Sequence, residues 1–212
     1  TPITSLVTKI VAKTTGTIDT TVLESSIAVV TNVLNITEHD LKKDFIKEGD
    51  AKVTKIITQL ETTTNSLSVA INDSNITEEV VLDSIVNQLI ESNNNNAVFD
   101  LARPINITNI IEQVQTDNTS ITINNTVKLN ATSLFSQVNN KVEEIAQDSN
   151  KIFENIITES TQLLVSTNNS LTGESAIDLN DATIVIENIV NNIETAAGDI
   201  SIGTIFQPEP EP

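Results

Sequence analysis

The sequence predicts a mainly all-α chain, a multi-helix bundle, and three observations carry that prediction. Apolar residues recur at steps of three and four, as in Val53, Ile56, Ile57, Leu60 and Leu67, which is the period of a helix buried on one face. Capping residues stand ahead of such runs, Thr1 before Pro2 and Thr77 before Glu78 and Glu79 among them. Thirty isoleucines spread over 212 residues supply the packing, and a chain of that length can bury roughly 70% of its unfolded surface.

Thr1-Pro2 opens a first helix on Ile3, Leu6, Val7, Ile10 and Val11, which should stop near Thr14-Thr15-Gly16. Thr21 and Glu24 have the spacing of a capping box for a second helix along Leu23, Ile27, Val30 and Leu34. Thr37, followed by Glu38 and Asp40, opens a short third one. From Asp50 the 3-4 spacing runs through Thr64 and Leu67 to Ile71, a helix of about 20 residues ended by Asn72-Asp73-Ser74-Asn75. Thr77 caps the next, whose Leu82, Ile85, Val86, Leu89 and Ile90 face inward.

Asn93 to Asn96 break the pattern, and Ile107, Ile110, Ile111 and Val114 restart it. The expected organisation is thus a helical subdomain at 1–92, a connector at 93–104, a helical subdomain at 105–206 and a Pro/Glu linker at 207–212. Within 120–129, Ile121 to Leu129 alternate around Asn124-Asn125, which fits a minor β-hairpin or an irregular loop anchored by isoleucines. Phe135, Val138, Val142, Ile145, Ile152, Ile156 and Leu163 predict one long helix from about Ser133 to Ser166, the spine of the second half. A last helix is expected from Asn180 to Ala197. After it Ile200, Ile202 and Ile205 alternate, and Gln207 to Pro212 read as a stiff extended linker.

Composition excludes several functions. The formal charge is -18, and residues after 60 carry all of it, so attraction to nucleic acid or to an anionic membrane is not expected. The asymmetry fits either two subregions or one solvated acidic face. No apolar run approaches the length of a membrane span, so no membrane insertion is expected. With no Cys, thiolate chemistry and disulfides are impossible. The absence of Met reads as a processed chain or a piece of a longer one, and the abundance of Thr, Asn and acid without Cys fits bacterial surface proteins.

Candidate chemistry is sparse. His39, the single histidine, lies between Glu38 and Asp40 but lacks the further His or Cys ligands that zinc needs. Glu78-Glu79 and Glu143-Glu144 are adjacent pairs, which on a helix point in different directions and read as solvated acids. Glu174, Asp178, Asn180 and Asp181 form the densest oxygen cluster, fitting either a weak calcium site or a capped helix start at Asn180 or Asp181. No other cofactor is implied and no catalytic residue stands out. Phe99, Phe135 and Phe153 are the aromatic residues around which an apolar ligand pocket would form.

The opening Thr1-Pro2-Ile3-Thr4-Ser5-Leu6-Val7, the stretch from Val30 to Ile36 and the helix from Asp50 to Ile71 together resemble a helical module of large secreted bacterial surface proteins. These are the adhesin-like and haemolysin-type repeat proteins, and the resemblance covers about residues 1–71. The chain departs from the pattern at Ile3, where the family has Leu, at Asn35, where it has Gly, and in using Thr where it prefers Ala. The resemblance implies an extracellular structural or adhesive segment with no catalytic residues to carry over. The expected role is therefore non-enzymatic, a spacer or interaction domain whose partners are neighbouring domains of its own chain or other surface proteins. The alternative is a helical ligand-binding domain whose apolar groove takes a peptide or lipid-like group.

Overall fold

The computed structural model describes residues 1–14, 19–71, 75–172 and 175–199, and among these every regular element is helical. The helices are α1 (Pro2–Lys13), α2 (Thr20–Val33), α3 (Glu38–Lys42), α4 (Ala51–Glu61), α5 (Leu67–Ile71), α6 (Glu78–Asn94), α7 (Pro104–Asp117), α8 (Asn125–Gln147), α9 (Phe153–Leu171) and α10 (Ile186–Asp199). A π-turn, Thr62–Ser66, joins α4 to α5 without a break. The expected helix from Asp50 to Ile71 is therefore present, with one wider turn inside it.

The caps explain where most helices begin. Thr1 and Thr4 form a reciprocal capping box on α1, and Thr37 and Asp40 do the same on α3. Thr77 caps α6. The α2 cap is one that the spacing missed: Asp19, not Thr21, accepts from the Val22 amide at 3.0 Å, leaving Thr21 within the first turn. Two helix ends close on asparagines with positive φ, Asn35 at 53° and Asn96 at 50°. In each case the next amide reaches back over the last turn, Ile36 to the Thr31 carbonyl at 2.9 Å and Ala97 to Ser92 at 2.8 Å. Asparagine and glycine share this left-handed conformation, which is what such a helix end demands.

Three expectations are corrected. No hairpin forms at 120–129: Ile121 and Ile123 are buried as loop anchors, and Asn124 accepts from the Val127 amide at 2.9 Å to start α8. The Asn-Asn pair is a helix start because its side chain can cap, which competes with turn formation. The long helix from Ser133 to Ser166 is two helices, broken where Asp148 accepts from the Asn150 amide at 2.9 Å. The break lets α8 and α9 pack side by side, so the apolar seam of each covers the other. The last helix starts at Ile186, not Asn180, because Asp178 and Asp181 spend their carboxylates on local turns. Gly16, Asn72 to Ser74, Ile200, Ile202, Ile205 and the 207–212 segment lie outside the described residues.

The α4–π–α5 rod and α8 form the middle of the bundle. On one side α1 packs on α2, α4 and α6, and α6 continues to α7; on the other, α9 and α10 cover α8. One core passes through both expected halves, from Ile3, Leu6, Leu60 and Leu67 through Ile85, Leu89 and Ile107 to Phe135, Leu163 and Ile193. The expected connector is packed into it, with Phe99, Leu101 and Ala102 buried and the Phe99 amide donating to the Val33 carbonyl at 3.3 Å.

A charged clamp holds α3 against the start of α4. The Lys43 ammonium lies between Asp40, at 2.6 Å, and Asp50, and all three side chains are largely covered. Asp50 also caps α4 through the Val53 amide at 2.9 Å. The Lys43 hydrogen bond, followed by the Thr37 amide, holds the Asp40 carboxyl down to about 2. Burial pushes Asp50 up, yet Lys43 and the Val53 amide outweigh it and leave it low. The same two carboxylates raise Lys43.

Two outcomes are expected. Leu60 is buried in the common core at the end of α4, so Leu60→Ala should cost about 2–5 kcal/mol and lower the midpoint of one cooperative urea transition, rather than of an early phase alone. A folded-state carboxyl held below its ordinary value stabilises above that value and loses its contribution as pH falls through the lowered one. Thermal melts should therefore show stability falling between the ordinary 3.8 of Asp40 and its lowered value of about 2, and Lys43→Met should flatten that fall.

Candidate functional site

The side chains from the expected calcium cluster are engaged with the protein itself. Asp178 accepts from the backbone and side-chain amides of Asn180 at 2.9 and 3.0 Å, and Asp181 from the Thr183 amide and hydroxyl at 2.8 and 2.7 Å. The Thr183 hydroxyl, then its amide, hold Asp181 below the usual carboxylate range. Asn180 Oδ1 accepts from Asn124 at 2.7 Å, while Asn130 donates to the Leu179 and Asp181 carbonyls. Asn124, the cap of α8, and Asn130, in its second turn, thus fasten this loop to the bundle. Glu174 lies outside the described residues. Among the described residues no group of three or more His, Cys, Asp or Glu is arranged to hold a metal ion.

The other candidates are dispersed. His39 is exposed, with Nε2 3.7 Å from Glu48. Glu143 pairs with Lys55 at 3.2 Å and its neighbour Glu144 with Lys141 at 3.1 Å, in two different directions as the helical period requires. Glu79 pairs with Lys9. Phe135 is wholly buried in the core, Phe153 packs over Gly49, and Phe99 forms a wall of a small recess of about 150 Å³.

What the structure does bring together is a buried polar centre around the π-turn. Asn139 on α8 is completely buried, and its amide nitrogen donates to Thr63 Oγ1 and to the Leu101 carbonyl, both at 3.0 Å. Gln59 on α4 donates to the Asn139 carbonyl at 3.0 Å. Ser66 closes the turn by donating to Asn168 on α9 at 2.5 Å. Asn139 Oδ1, Thr62 Oγ1 and Ser160 Oγ are buried without a hydrogen-bond partner, an arrangement whose desolvation opposes folding. Asn139 stands one turn from both Phe135 and Val142, so a reading of helical faces could have placed it inward.

The outer side of the same turn forms a groove of about 360 Å³. Pro2 and Ser5 of α1, Leu60 and Glu61 at the end of α4, Thr64 and Asn65 of the π-turn, and Leu82 of α6 line it. Glu61 is half-buried there, and burial pushes its carboxyl above the usual range, against a smaller opposing pull from the N-terminal amine. Among the described residues no cation or hydrogen-bond donor pairs with it. The contrast with a groove of about 450 Å³ between α8, α9 and α10 is sharp. There Lys141 serves Glu144 and Glu194, and Lys151 serves Asp148 and Glu159, so the charges are matched internally.

Fold and site together define an all-helical bundle with a polar centre and shallow grooves. Comparison of the chain with known protein families, with curated proteins and with solved structures finds no match. Among the described residues no helix is long and apolar enough to cross a membrane.

The polar centre yields a stability prediction. Asn139→Asp replaces the donor facing Thr63 and the Leu101 carbonyl with a buried carboxylate, and should cost about 3 kcal/mol or more in urea unfolding at neutral pH. An unchanged midpoint would contradict the role given to that amide.

Proposed function

We propose that this chain is a non-enzymatic helical module of a larger bacterial surface or secreted protein, acting as a spacer or protein-interaction domain. The observation that carries the proposal is the continuous core from α1 to α10. Such a core makes one packed body out of the whole described chain, which suits a part that holds its neighbours at a fixed separation. The resemblance of residues 1–71 to adhesin-like modules supports the same reading. So does the use of acids: Glu79, Glu143 and Glu144 are held by lysines, and Asp19, Asp40 and Asp50 cap helices, leaving them committed to structure.

A second reading, a ligand-binding helical domain, is favoured by an apolar groove of about 410 Å³ between α1, α2 and α6, lined by Ile10, Val22, Val29 and Ile90 among others. A peptide or lipid-like group would be the ligand. Saturable binding of a fluorescent acyl probe, lost in Val29→Asp, would favour that role over the spacer.

The module reading is tested by incubating the full chain with chromogenic esters, phosphates, peptides and glycosides. The expected result is no turnover above that of the heat-denatured protein. Hydrolysis that disappears in Glu144→Gln would overturn it.

A further inference from the structure

We propose that the Glu61 groove is a docking site for a lysine side chain of a partner protein. Three residues that carry acceptors, Glu61 with a carboxylate, Thr64 with a hydroxyl and Asn65 with an amide, line one groove from positions about one helical turn apart. An ammonium carries three donors, and three acceptors on one wall match that number. Pro2, Leu60 and Leu82 supply apolar surface for the four-carbon stem, which lysine buries while its charge stays at a polar tip.

Charge complementarity selects the occupant. Glu61 is a half-buried carboxylate in no ion pair or hydrogen bond among the described residues, with only a weaker pull from the N-terminal amine, in a chain of formal charge -18. Lys9, the basic residue of α1 nearest to Ser5, is already held by Glu79 and by Asp83 at 2.9 Å. The π-turn is an independent sign. It runs through Thr64 and Asn65, which line the groove, and such turns recur at functional sites.

The site rests on the interaction-module reading and deepens it. Its test reads the groove directly, by amide nuclear magnetic resonance of the full chain titrated with Nα-acetyl-lysine methylamide. The Thr64 and Asn65 amides should shift and saturate in the millimolar range expected of one charged contact. The Nε-acetylated probe, which has the stem without the charge, should bind about fivefold more weakly or less, as should the lysine probe on Glu61→Gln. Equal shifts with either control, shifts spread evenly over surface acids, or no shift at all would overturn the proposal. Glu61→Gln should melt at the same or a higher temperature at neutral pH, because it removes a charge that burial disfavours. If that variant does not fold, the acetylated probe on the unaltered chain decides alone. Substrate turnover would defeat the module reading without touching these shifts, whereas their absence would remove the groove and leave the module reading standing.

Discussion

The bundle is organised around one buried amide. Asn139 holds the π-turn through Thr63 and the segment before α7 through Leu101, while Gln59 grips its own backbone. These bonds join residues from the first half, the middle and the second half of the sequence. In water each would be worth little, because solvent competes for the same groups; in a dry core an unmade bond is what is costly. The amide therefore discriminates among packings that leucine and isoleucine alone would tolerate. Helices α4, α8 and α9 meet with a specific register because sliding any of them strands a polar group.

The surface follows from the same division of labour. Lysines are scarce and are used where they link elements: Lys9 ties α1 to α6, Lys55 ties α4 to α8, and Lys128 reaches Glu112 on α7 at 2.9 Å. Such half-exposed pairs contribute modestly to stability but orient helices that meet through apolar contact. Most of the other described acids are exposed and give the described surface an excess of negative charge. Against that background a carboxylate half-withdrawn from water beside apolar side chains is a different kind of feature from a solvated one.

Most helices were legible because caps and stripes are local. Thr1, Thr37 and Thr77 mark starts whose hydrogen bonds close within one turn, and the stripe through Val53, Ile56 and Leu60 reports a buried face directly. The misses share a cause: short polar side chains can either cap, turn or sit on a helix, and tertiary packing decides. Asp148-Ser149-Asn150 lies within a good apolar period yet turns, and Asn124-Asn125 looks like a hairpin tip yet caps. The candidate site was less legible still. The groove at Glu61 needs α1, α4 and α6 to converge, and no spacing along the chain records which helices become neighbours. The π-turn is equally invisible, since Thr62-Thr63-Thr64 would fit a regular helix by propensity alone.

That turn makes the length of the rod, and not merely its composition, part of the fold. It accommodates one residue more than a regular helix would over the same contacts, so loss of one of the three consecutive threonines can be absorbed by a return to regular helix with everything from Leu67 onward kept in register, whereas gain of one has no such outlet and would turn that part by about 100° and push it out by about 1.5 Å. Leu67 would leave the core and Ser66 would lose Asn168, although the composition would scarcely change. Substitutions among the threonines leave the count intact, and lengthening the run does not; the segment tolerates a loss more readily than a gain.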